Sequence, residues 1–401
     1  MKNDLTVVVV NDFDYTQGGA SKIAIETAQL LYENNCNVIF FSATHKENDY
    51  KFKQVCTNQN ECLKDGIKGL YRNIYNKKVK KEFSKLLDTL DNSKTIIHIH
   101  GWTKSLSSVV FSVAKKKKFK IVLTVHDYFT YCPNGGLFNY KKNKICNLKP
   151  MSFKCKICNC DSRNFIIKIY RVLRQRIQNK NLKNVKGNCI YVSDFSMKLF
   201  NKSIISDWDY RRIDNPIDFG KEEFHNSVNG EYFGFLGRLS KEKGIDLFCE
   251  AITRCNLKGL VIGDGAERKR LEEKYPNITF VGWKKSSEVK EELKKVKALL
   301  FTSLWYEAMG MTSLEAQSMG IPIIVGDNCA TSDYVVDGKN GLLFKMGDVD
   351  DLVDKLKKCN NNLIKKMSDN SYEMYWKNPF SKNKYINELT DYYSYIIKGK
   401  W

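Results

Sequence analysis

The chain has 401 residues, which is too long for one compact core and about the right length for two domains. Its 42% hydrophobic and 12% aromatic residues exclude a wholly disordered chain, while 66 Lys and Arg against 45 Asp and Glu give a net charge of +21. This charge attracts nucleic acid, anionic lipid headgroups or phosphorylated substrates, and by itself it does not select among the three.

The N-terminus and the cysteines indicate the compartment. A short apolar run at the start is followed closely by acidic residues, which predicts a buried strand and not a secretory signal. No stretch approaches the roughly 20 apolar residues of a membrane-spanning helix. The 13 Cys, an odd number, are spread through predicted strands and helices, as is typical of reduced thiols. We therefore expect a cytoplasmic protein, either free in the cytosol or peripheral on the cytosolic face of the membrane.

In the first half of the chain, short apolar runs alternate with segments of helical periodicity. The predicted strands are Leu5–Val10, Val38–Ser42, Ile96–His100, Ile121–Val125 and Asn188–Val192. The predicted helices are Ala20–Asn34, Thr103–Lys117 and Asn164–Asn181. Near-continuous apolar strands that alternate with helices are typical of a parallel sheet covered on both faces.

A second series of the same kind follows. Its strands are Glu231–Leu236, Leu257–Ile262, Ile278–Val281, Ala298–Thr302 and Ile321–Val325. Its helices are Gly244–Cys255, Ala266–Tyr275, Ser287–Val296, Met311–Met319 and Asp348–Cys359. The stretch Leu363–Ile397 is also predicted to be helical, and it is rich enough in Tyr and Trp that we expect it to pack across both domains.

These patterns predict an α/β fold of two Rossmann-like, doubly wound parallel-sheet domains that face a cleft. The N-terminal domain spans 1–215 with a Cys-rich insert at 128–162, the second domain spans 216–378, and a helix at 379–401 crosses back to the first domain. The seam lies near Asn215-Pro216-Ile217-Asp218, where Pro interrupts the pattern. Because ligands of such sheets bind beyond the carboxyl ends of the strands, the residues after each strand are the candidates for chemistry.

A glycine pair, Gly18-Gly19, follows the first strand and opens the first helix. Glycines there allow the backbone to approach a ligand, and the start of the helix offers N–H groups to an anion. The spacing is not the GxGxxG of dinucleotide-binding proteins, which argues against a dehydrogenase. An ordinary glycine turn stays open as the alternative.

Two cations, Arg238 and Lys243, stand in the loop between a predicted strand and helix of the second series. Arg offers a planar fork of donors and Lys a compact charge, which together suit a diphosphate. A solvated basic loop is the alternative, and the position at the carboxyl end of a strand favours the functional interpretation.

The sharpest pattern is a pair of carboxylates, Glu307 and Glu315, around the start of a predicted helix. The helix begins near Met311, so that the amides of Met311 and Thr312 are available to a phosphate. Glu315 lies about one turn into the helix and could reach the hydroxyls of a ribose, while Glu307 in the preceding loop could accept hydrogen bonds from another hydroxylated group. Two surface glutamates are the alternative.

These motifs resemble the retaining glycosyltransferases of the GT-B fold, specifically family 4, which includes bacterial O-antigen, capsule and lipopolysaccharide-core transferases. The resemblance covers the C-terminal half from about Asn215 to Phe344. Its ordered matches are Asn215-Pro216-Ile217-Asp218, Gly237-Arg238, Lys243-Gly244, Gly263-Asp264-Gly265, Val281-Gly282, Glu307, Gly310, Glu315-Ala316, Gly320-Ile321-Pro322, Gly338 and Asn340-Gly341-Leu342. The N-terminal half matches at Gly18-Gly19-Ala20, His98-Ile99-His100 and Thr124-Val125-His126-Asp127.

The resemblance implies a retaining hexosyltransferase that needs no metal or other cofactor and acts in the biosynthesis of a cell-surface polysaccharide or lipopolysaccharide. Its donor would be a nucleotide-diphosphate sugar, with UDP or GDP as the nucleotide, and its acceptor a glycan or a lipid-linked molecule. The residues implied to bind the donor are Gly18, Gly19, Arg238, Lys243, Gly282, Trp283, Gly310, Met311, Thr312 and Glu315.

The resemblance also implies the residues near the reacting carbon. Glu307 corresponds to the sugar-contacting glutamate of the family, and His126 to the N-domain histidine that faces the transferred sugar. Arg238 and Lys243 would stabilise the departing diphosphate. His100, at the end of its strand, and Asp127 are assigned to the acceptor side, whereas His98 is predicted to be a satisfied core histidine.

The insert after His126 contains five cysteines within a Lys- and Asn-rich stretch. Cys155 and Cys158 have metal-chelating spacing, and Cys132 and Cys146 could complete a tetrahedral set of thiolates for a structural zinc. Reduced thiols without a metal are the alternative, and both interpretations stay open.

Two stretches, Lys68–Lys85 and Arg163–Lys186, concentrate the positive charge and interleave it with aromatic and aliphatic residues. Helices of this composition are typical of the interface with an anionic membrane, and a solvated face is the alternative. A basic, zinc-containing nucleic-acid-binding protein would account for the charge and the cysteines but not for Glu307, Gly310 and Glu315, so no nucleic-acid partner is expected. A GT-B nucleotide-sugar epimerase is the other alternative to a transferase.

Overall fold

A computed structural model of the protein describes residues 4–200, 203–217, 219–221 and 223–399. Asp218 at the predicted seam lies outside these residues. The chain forms two compact units: unit 1 consists of Met1–Gly136, Leu148–Pro216 and Lys382–Trp401, and unit 2 of Leu137–Asn147 and Ile217–Ser381. The predicted insert is therefore divided, because its residues 137–147 pack with unit 2 and not with the N-terminal unit.

The strands of the described residues pair in parallel, apart from one short antiparallel hairpin. The strands are β1 (Thr6–Val10), β2 (Asn37–Ser42), β3 (Lys53–Cys56), β4 (Thr95–Ile99), β5 (Lys120–Val125), β6 (Phe138–Asn139), β7 (Lys144–Ile145), β8 (Asn188–Tyr191), β9 (Asp209–Arg212), β10 (Tyr232–Leu236), β11 (Gly259–Ile262), β12 (Ile278–Gly282), β13 (Val296–Phe301), β14 (Ile323–Gly326) and β15 (Gly341–Phe344).

The helices connect these strands and cover the sheets. They are α1 (Gly19–Glu33), α2 (Gly66–Ile74), α3 (Lys77–Asp88), α4 (Val109–Lys116), α5 (Phe153–Ile157), α6 (Phe165–Leu182), α7 (Asp194–Leu199), α8 (Ile245–Arg254), α9 (Arg268–Lys274), α10 (Ser286–Leu293), α11 (Met311–Ser318), α12 (Val349–Lys357), α13 (Asn361–Lys377) and α14 (Lys382–Ile397). Within the described ranges, no helix is both long enough and apolar enough to cross a membrane.

Unit 1 is built on a seven-stranded sheet with the strand order β3-β2-β1-β4-β5-β8-β9. Every pair in this sheet is parallel. The residues of β1 from Val7 to Val10 and all of β4 are buried, because helices cover both faces of the sheet. The strand order reverses between β1 and β4, so the loops after these two strands diverge at the carboxyl edge of the sheet.

Asp12 explains why the helix predicted from Thr103 begins only at Val109. The Asp12 carboxylate accepts hydrogen bonds from the backbone N–H groups of Lys104, Ser105 and Leu106 at 2.8–2.9 Å. These amides are therefore committed to a side chain that follows β1, and the segment after β4 forms a loop instead of the first turns of a helix.

Unit 2 is built on a six-stranded parallel sheet with the order β12-β11-β10-β13-β14-β15, accompanied by the short hairpin β6-β7. Alternate apolar residues of the strands pack with the helices that cover one face of the sheet and form a core, which includes Phe235, Phe248 and Leu300. Here the strand order reverses between β10 and β13. The parallel α/β architecture in two units confirms the predicted fold class.

The C-terminal segment is divided between the units, because the helical pattern breaks at Asn378–Ser381 around Pro379. α13 belongs to unit 2 and α14 to unit 1. Three tyrosines of α14, Tyr385, Tyr392 and Tyr393, are buried in the core of unit 1. The Tyr385 hydroxyl lies 2.6 Å from Thr27 Oγ1, and the Tyr393 hydroxyl lies 2.6 Å from His98 Nδ1. This packing explains the aromatic content of the segment.

Candidate active site

The candidate site in unit 2 lies where the strand order reverses. Arg238 and Lys243 follow β10, whereas Glu307 and Gly310 follow the adjacent strand β13. Hydrogen bonds join the two loops: the amide of Leu304 donates to the carbonyl of Glu242 at 2.8 Å, and the Thr302 hydroxyl lies within hydrogen-bond distance of the carbonyls of Lys243 and Gly244. Such a reversal point is where open α/β sheets bind ligands.

Gly244 is required by the contact between these loops. It has φ +67°, and a Cβ at this position would lie 1.9 Å from the carbonyl oxygen of Thr302. The Thr302 hydroxyl also donates to the Gly244 carbonyl at 2.9 Å. A side chain at Gly244 would therefore force apart the loops that carry Lys243 and Glu307.

Three side chains hold the Glu307 carboxylate through one oxygen. Its Oε1 accepts hydrogen bonds from Lys243 Nζ, from Ser303 Oγ at 2.9 Å and from Trp305 Nε1 at 2.6 Å. The Lys243 ammonium also lies 5.4 Å from the centre of the Trp305 ring. In the described part of the chain, no donor to Oε2 accompanies these three. Sequence analysis had named Glu307 and Lys243 separately, and the structure brings them together.

The environment of Glu307 keeps it ionised. Burial alone would raise the pKa of this carboxyl, but the charge and hydrogen bond of Lys243, with the hydrogen bonds from Trp305 and Ser303, lower the pKa below its ordinary value. Glu307 is therefore an acceptor and not an acid at neutral pH. Sequence analysis selected Glu307 but neither Ser303 nor Trp305, because only the folded loop shows that their side chains reach its carboxylate.

Arg238 is more open than Lys243. Its side chain is 60% exposed, it pairs with Glu242 on the same loop, and its Nε donates to Ser240 Oγ at 3.3 Å. Glu242 is nearly buried and is a residue that sequence analysis did not name. The pair holds the guanidinium at the carboxyl end of β10 while leaving much of it accessible to an anion.

The start of α11 presents backbone donors next to this cluster. No side chain caps this end, which begins after Gly310, so the amides of Met311 and Thr312 are of the kind that a helix leaves unpaired. Gly310 has φ +76°, and a Cβ there would lie 2.0 Å from Thr331 Oγ1. Within the described residues, the buried Thr331 Oγ1 has no hydrogen-bond partner. Sequence analysis had not named this threonine, because nothing local marks it.

The other residues of unit 2 that were predicted to bind the nucleotide-sugar donor lie at the same edge of the sheet. Glu315 is half-buried one turn into α11, on the face that also carries Met311 and Thr312. Gly282 ends β12 with φ +76°, and Trp283 after it is 71% exposed. The Gly282 carbonyl accepts from the amide of Gly263, which links the loops after β11 and β12.

Three histidines form a chain of contacts in unit 1. His98 is buried between Tyr393 and Thr124, whose Oγ1 lies 2.7 Å from His98 Nε2. His100 Nδ1 lies 2.9 Å from His126 Nε2. Burial lowers the pKa of His98 to about 3 and that of His126 to about 4, and it lowers the pKa of His100 well below the ordinary value. All three imidazoles are therefore neutral at neutral pH, and the interpretation of His98 as a satisfied core residue agrees with its contacts.

Asp127 and Gly18 complete the candidates of unit 1. Burial raises the pKa of Asp127 to about 6, and its Oδ1 accepts from the amide of Phe129 at 2.9 Å. Gly18 precedes α1 with φ +158°, and Gly19 is the first residue of that helix. A Cβ at Gly18 would meet nothing within 4 Å, so the backbone angle and not crowding favours glycine.

The cysteines named as zinc ligands are divided between the units. Cys132, Cys155 and Cys158 belong to unit 1, whereas Cys146 lies in the segment assigned to unit 2. Lys168 is buried with its Nζ 3.8 Å from Cys155 Sγ. Among the residues that the structure describes, no three His, Cys, Asp or Glu side chains are placed as a metal site. Zinc binding therefore stays a prediction.

Comparison with known proteins finds a family that matches the C-terminal part of the chain. Residues 218–374 match the family model described as glycosyl transferases group 1. This part of the chain is similar to that family. The group 1 region contains Arg238, Lys243, Glu307, Gly310 and Glu315, which the geometry had already grouped at one edge of the sheet.

A curated relative and two solved structures are similar to larger parts of the chain. CapM, a capsular polysaccharide biosynthesis glycosyltransferase of Staphylococcus aureus, is 25% identical over 58% of this chain and 62% of its own length. Sucrose-phosphate synthase from Thermosynechococcus elongatus has 14% identity and a TM-score of 0.71 over 98% of this chain and 99% of its own. Anabaena HepE in complex with UDP-glucose has 13% identity and a TM-score of 0.67 over 97% and 99%.

These similarities confirm the resemblance to GT-B glycosyltransferases of the family 4 type. The chain matches only part of the length of these curated relatives. It spans 52% of an uncharacterized glycosyltransferase of Methanocaldococcus jannaschii and 62% of CapM. The two alternatives, a nucleic-acid-binding protein and an epimerase, gain no support from these comparisons.

Proposed function

We propose that this protein transfers a sugar from a nucleotide-diphosphate sugar to a hydroxyl of a glycan or lipid-linked acceptor, in the biosynthesis of a cell-surface polysaccharide at the cytosolic face of the membrane. The observation that carries the proposal is the contact between Lys243 and Glu307, beside the uncapped start of α11. A cation, an ionised carboxylate and backbone donors at one strand reversal suit a ligand that combines phosphate with hydroxyl groups.

Each side chain has a role that follows from its charge. Lys243 and the accessible guanidinium of Arg238 bind the diphosphate and stabilise the charge that develops as it departs. The amides of Met311 and Thr312 assist them. Glu307 accepts hydrogen bonds from hydroxyls of the transferred sugar, and Glu315 accepts those of the ribose.

His126 of unit 1 is proposed to contact the transferred sugar as a neutral imidazole. Its low pKa means that it carries no positive charge that would oppose a developing oxocarbenium ion. His100 holds it by a ring-to-ring hydrogen bond at 2.9 Å. His100 and Asp127 are further proposed to line the acceptor side, and Gly18 and Gly19 to approach the donor.

Retention of the anomeric configuration and independence of a metal cofactor are parts of the same proposal. Arg238 and Lys243 lie at the edge of the sheet where the diphosphate is proposed to bind. Their two positive charges would neutralise the diphosphate, so that a metal ion is not needed for this purpose. The HepE structure holds UDP-glucose, and for this reason UDP sugars are the first donors to test, followed by GDP sugars.

The binding test measures thermal stabilisation by UDP-, GDP-, ADP-, CMP- and dTDP-linked sugars. One nucleotide class is expected to raise the melting temperature by several degrees, and Glu315→Ala and Arg238→Ala are each expected to abolish most of that shift. Glu273→Ala, which removes an exposed glutamate of α9 in the same unit, is the matched control and should keep it. Absence of a shift with every donor would overturn the proposal.

The transfer test uses the donor found in this way with a panel of acceptors. Glu307→Gln is expected to lower kcat by roughly 10²-fold or more with a smaller change in KM, because its hydrogen bonds matter most in the transition state. NMR of the product reports whether the anomeric configuration is retained, and excess EDTA should leave the rate unchanged. Conversion of the donor sugar without any acceptor would favour the epimerase.

A further inference from the structure

Helix α6 of unit 1 has its polarity reversed. The residues that it buries are Lys168, Tyr170, Arg174, Gln175, Gln178 and Leu182. Its exposed side chains include Phe165, Ile166, Ile169 and Leu173, and Ile166 is 73% exposed. A helix on the surface of a water-soluble protein normally places its apolar residues inward and its polar residues outward.

The buried polar face of α6 has a structural role that accounts for its composition. Arg174 donates to the carbonyl of Pro133 at 3.0 Å, and Gln178 donates to that of Phe129 at 2.7 Å. The Arg174 guanidinium also lies 4.6 Å from the centre of the Phe129 ring. α6 therefore uses its polar side to hold the loop that follows His126, and this use leaves its apolar side facing outward.

Two neighbouring helices carry exposed apolar pairs of the same kind. α2 and α5 both pack against α6. Ile67 and Tyr71 of α2 are 86% and 62% exposed, and Phe153 and Ile157 of α5 are 76% and 57% exposed. Each pair is spaced by four residues and lies on one helix face. Together, α2, α5 and α6 hold eight of the fifteen large apolar side chains that are exposed in the described part of the chain.

The charge around these side chains is almost entirely positive. Residues 149–186, which include α5 and α6, contain eleven Lys or Arg and one acid, Asp161. Asp161 is buried and paired with Arg171 at 3.2 Å, so this stretch exposes no acid. Lys154 and Lys156 lie between the two apolar residues of α5 in the sequence and are themselves exposed.

We propose that the exposed apolar side chains of α2, α5 and α6 dock unit 1 on an anionic lipid surface. The apolar side chains would enter the boundary between headgroups and acyl chains, and the surrounding Lys and Arg would contact the anionic headgroups. A nucleic acid would satisfy the charge but would leave the apolar side chains in water, and a second copy of this chain would bring two strongly basic faces together.

The structure also shows which parts of the two basic stretches, Lys68–Lys85 and Arg163–Lys186, expose apolar side chains. The apolar residues of α3 are buried, among them Val79 and Phe83, so α3 contributes only charge. α5 was not part of either stretch, although it exposes an aromatic and an aliphatic side chain on either side of two lysines. The docking surface is thus centred on α5 and α6.

The experiment is flotation of the full-length protein with vesicles of phosphatidylcholine, alone or mixed with phosphatidylglycerol, at about 0.1 M and about 1 M salt. Binding to the mixed vesicles is expected, with much less binding to phosphatidylcholine alone and at high salt. Ile166→Ser with Leu173→Ser is expected to lower the partition coefficient at least about tenfold. The matched control, Tyr210→Ser with Val336→Ser, removes two side chains of similar exposure elsewhere and should keep wild-type binding.

A second pair of variants tests the charge. Lys154→Gln with Lys156→Gln is expected to lower the partition coefficient roughly fivefold to twentyfold. Lys357→Gln with Lys358→Gln, at the C-terminal end of α12, makes the same change in net charge and should lower it far less. Equal losses in the variants and their controls would overturn the proposal, as would a lack of flotation by the wild type. Two other results would also overturn it. One is a dimer, seen by sedimentation, that Ile166→Ser with Leu173→Ser dissociates. The other is a wild type that does not float but binds RNA, with RNA binding unchanged in this variant.

The proposal is independent of the donor assay. Folding of each variant is checked by its melting temperature, and stabilisation by the nucleotide sugar should be unchanged in the α6 variant. Loss of flotation with intact donor binding therefore separates membrane docking from the proposed transfer reaction.

Discussion

At the scale of single residues, His98 shows how a core position can impose a pH dependence on the fold. Its imidazole is fully buried, with Tyr393 on one ring nitrogen and Thr124 on the other. Burial and the nearby His126 lower its pKa to about 3. The unfolded chain binds a proton at this histidine below about pH 6.5, whereas the folded chain does not until near pH 3.

We expect the folded state to lose stability as the pH falls from 6.5 towards 3, by up to roughly 5 kcal/mol from His98 alone. His98→Gln should lower the melting temperature at pH 7.5, because packing is disturbed, but should make its fall between pH 7 and pH 5 shallower. Tyr393→Phe is the control: it removes one hydrogen bond, leaves the imidazole in place, and should keep the wild-type pH dependence. The same slope in His98→Gln and in the wild type would contradict this account.

At the scale of elements, the junction between β13 and α11 depends on a glycine for two separate reasons. Gly310 adopts a left-handed conformation, and its missing side chain leaves room for Thr331 Oγ1. Gly338 has nearly the same φ, +72° against +76°, but a Cβ there would meet nothing within 4 Å. The two positions therefore separate backbone strain from crowding.

Gly338→Ala is expected to lower the free energy of unfolding by about 1 kcal/mol, from backbone strain alone. Gly310→Ala should lower it by roughly 2–4 kcal/mol, since the new methyl group also collides with Thr331. Adding Thr331→Ala to Gly310→Ala should recover part of the difference. Urea unfolding of the wild type and the three variants measures these free energies. Equal losses of unfolding free energy in Gly310→Ala and Gly338→Ala would show that crowding is unimportant.

At the scale of the whole molecule, the Cys-rich insert raises the question of what stabilises a segment with few apolar residues. Its cysteines are divided between the two units, and a bound ion would supply folding energy that the insert's own packing lacks. We expect about one zinc per chain in protein purified under reducing conditions, measured by elemental analysis.

Chelation should then lower the melting temperature, and Cys155→Ser with Cys158→Ser should reduce the zinc content. Cys255→Ser with Cys359→Ser, at two half-buried cysteines of unit 2, is the matched control and should preserve it. Metal-free protein with a melting temperature that chelators do not change would favour the alternative of reduced thiols.

Local pattern sufficed for the architecture of this protein. The alternation of apolar runs and helical periodicity predicted the central strands of both sheets, and glycines and charges after β10 and β13 marked the edge where Lys243 and Glu307 lie. Such features are readable because strands and helices bury residues with fixed periods. Strands with weaker patterns, such as β3 with its partly exposed residues, were missed.

Only the tertiary structure decided which side chains meet. Packing sets several contacts whose partners nothing in the immediate sequence indicates. They are those of Trp305 and Ser303 with Glu307, of Asp12 with the amides after β4, and of Thr331 with Gly310. The reversed polarity of α6 is of the same kind, because the sequence shows where polar and apolar residues alternate but not which face the neighbouring loop will cover. Composition and periodicity thus determined the fold, whereas the three-dimensional placement of loops determined the chemistry of its surfaces.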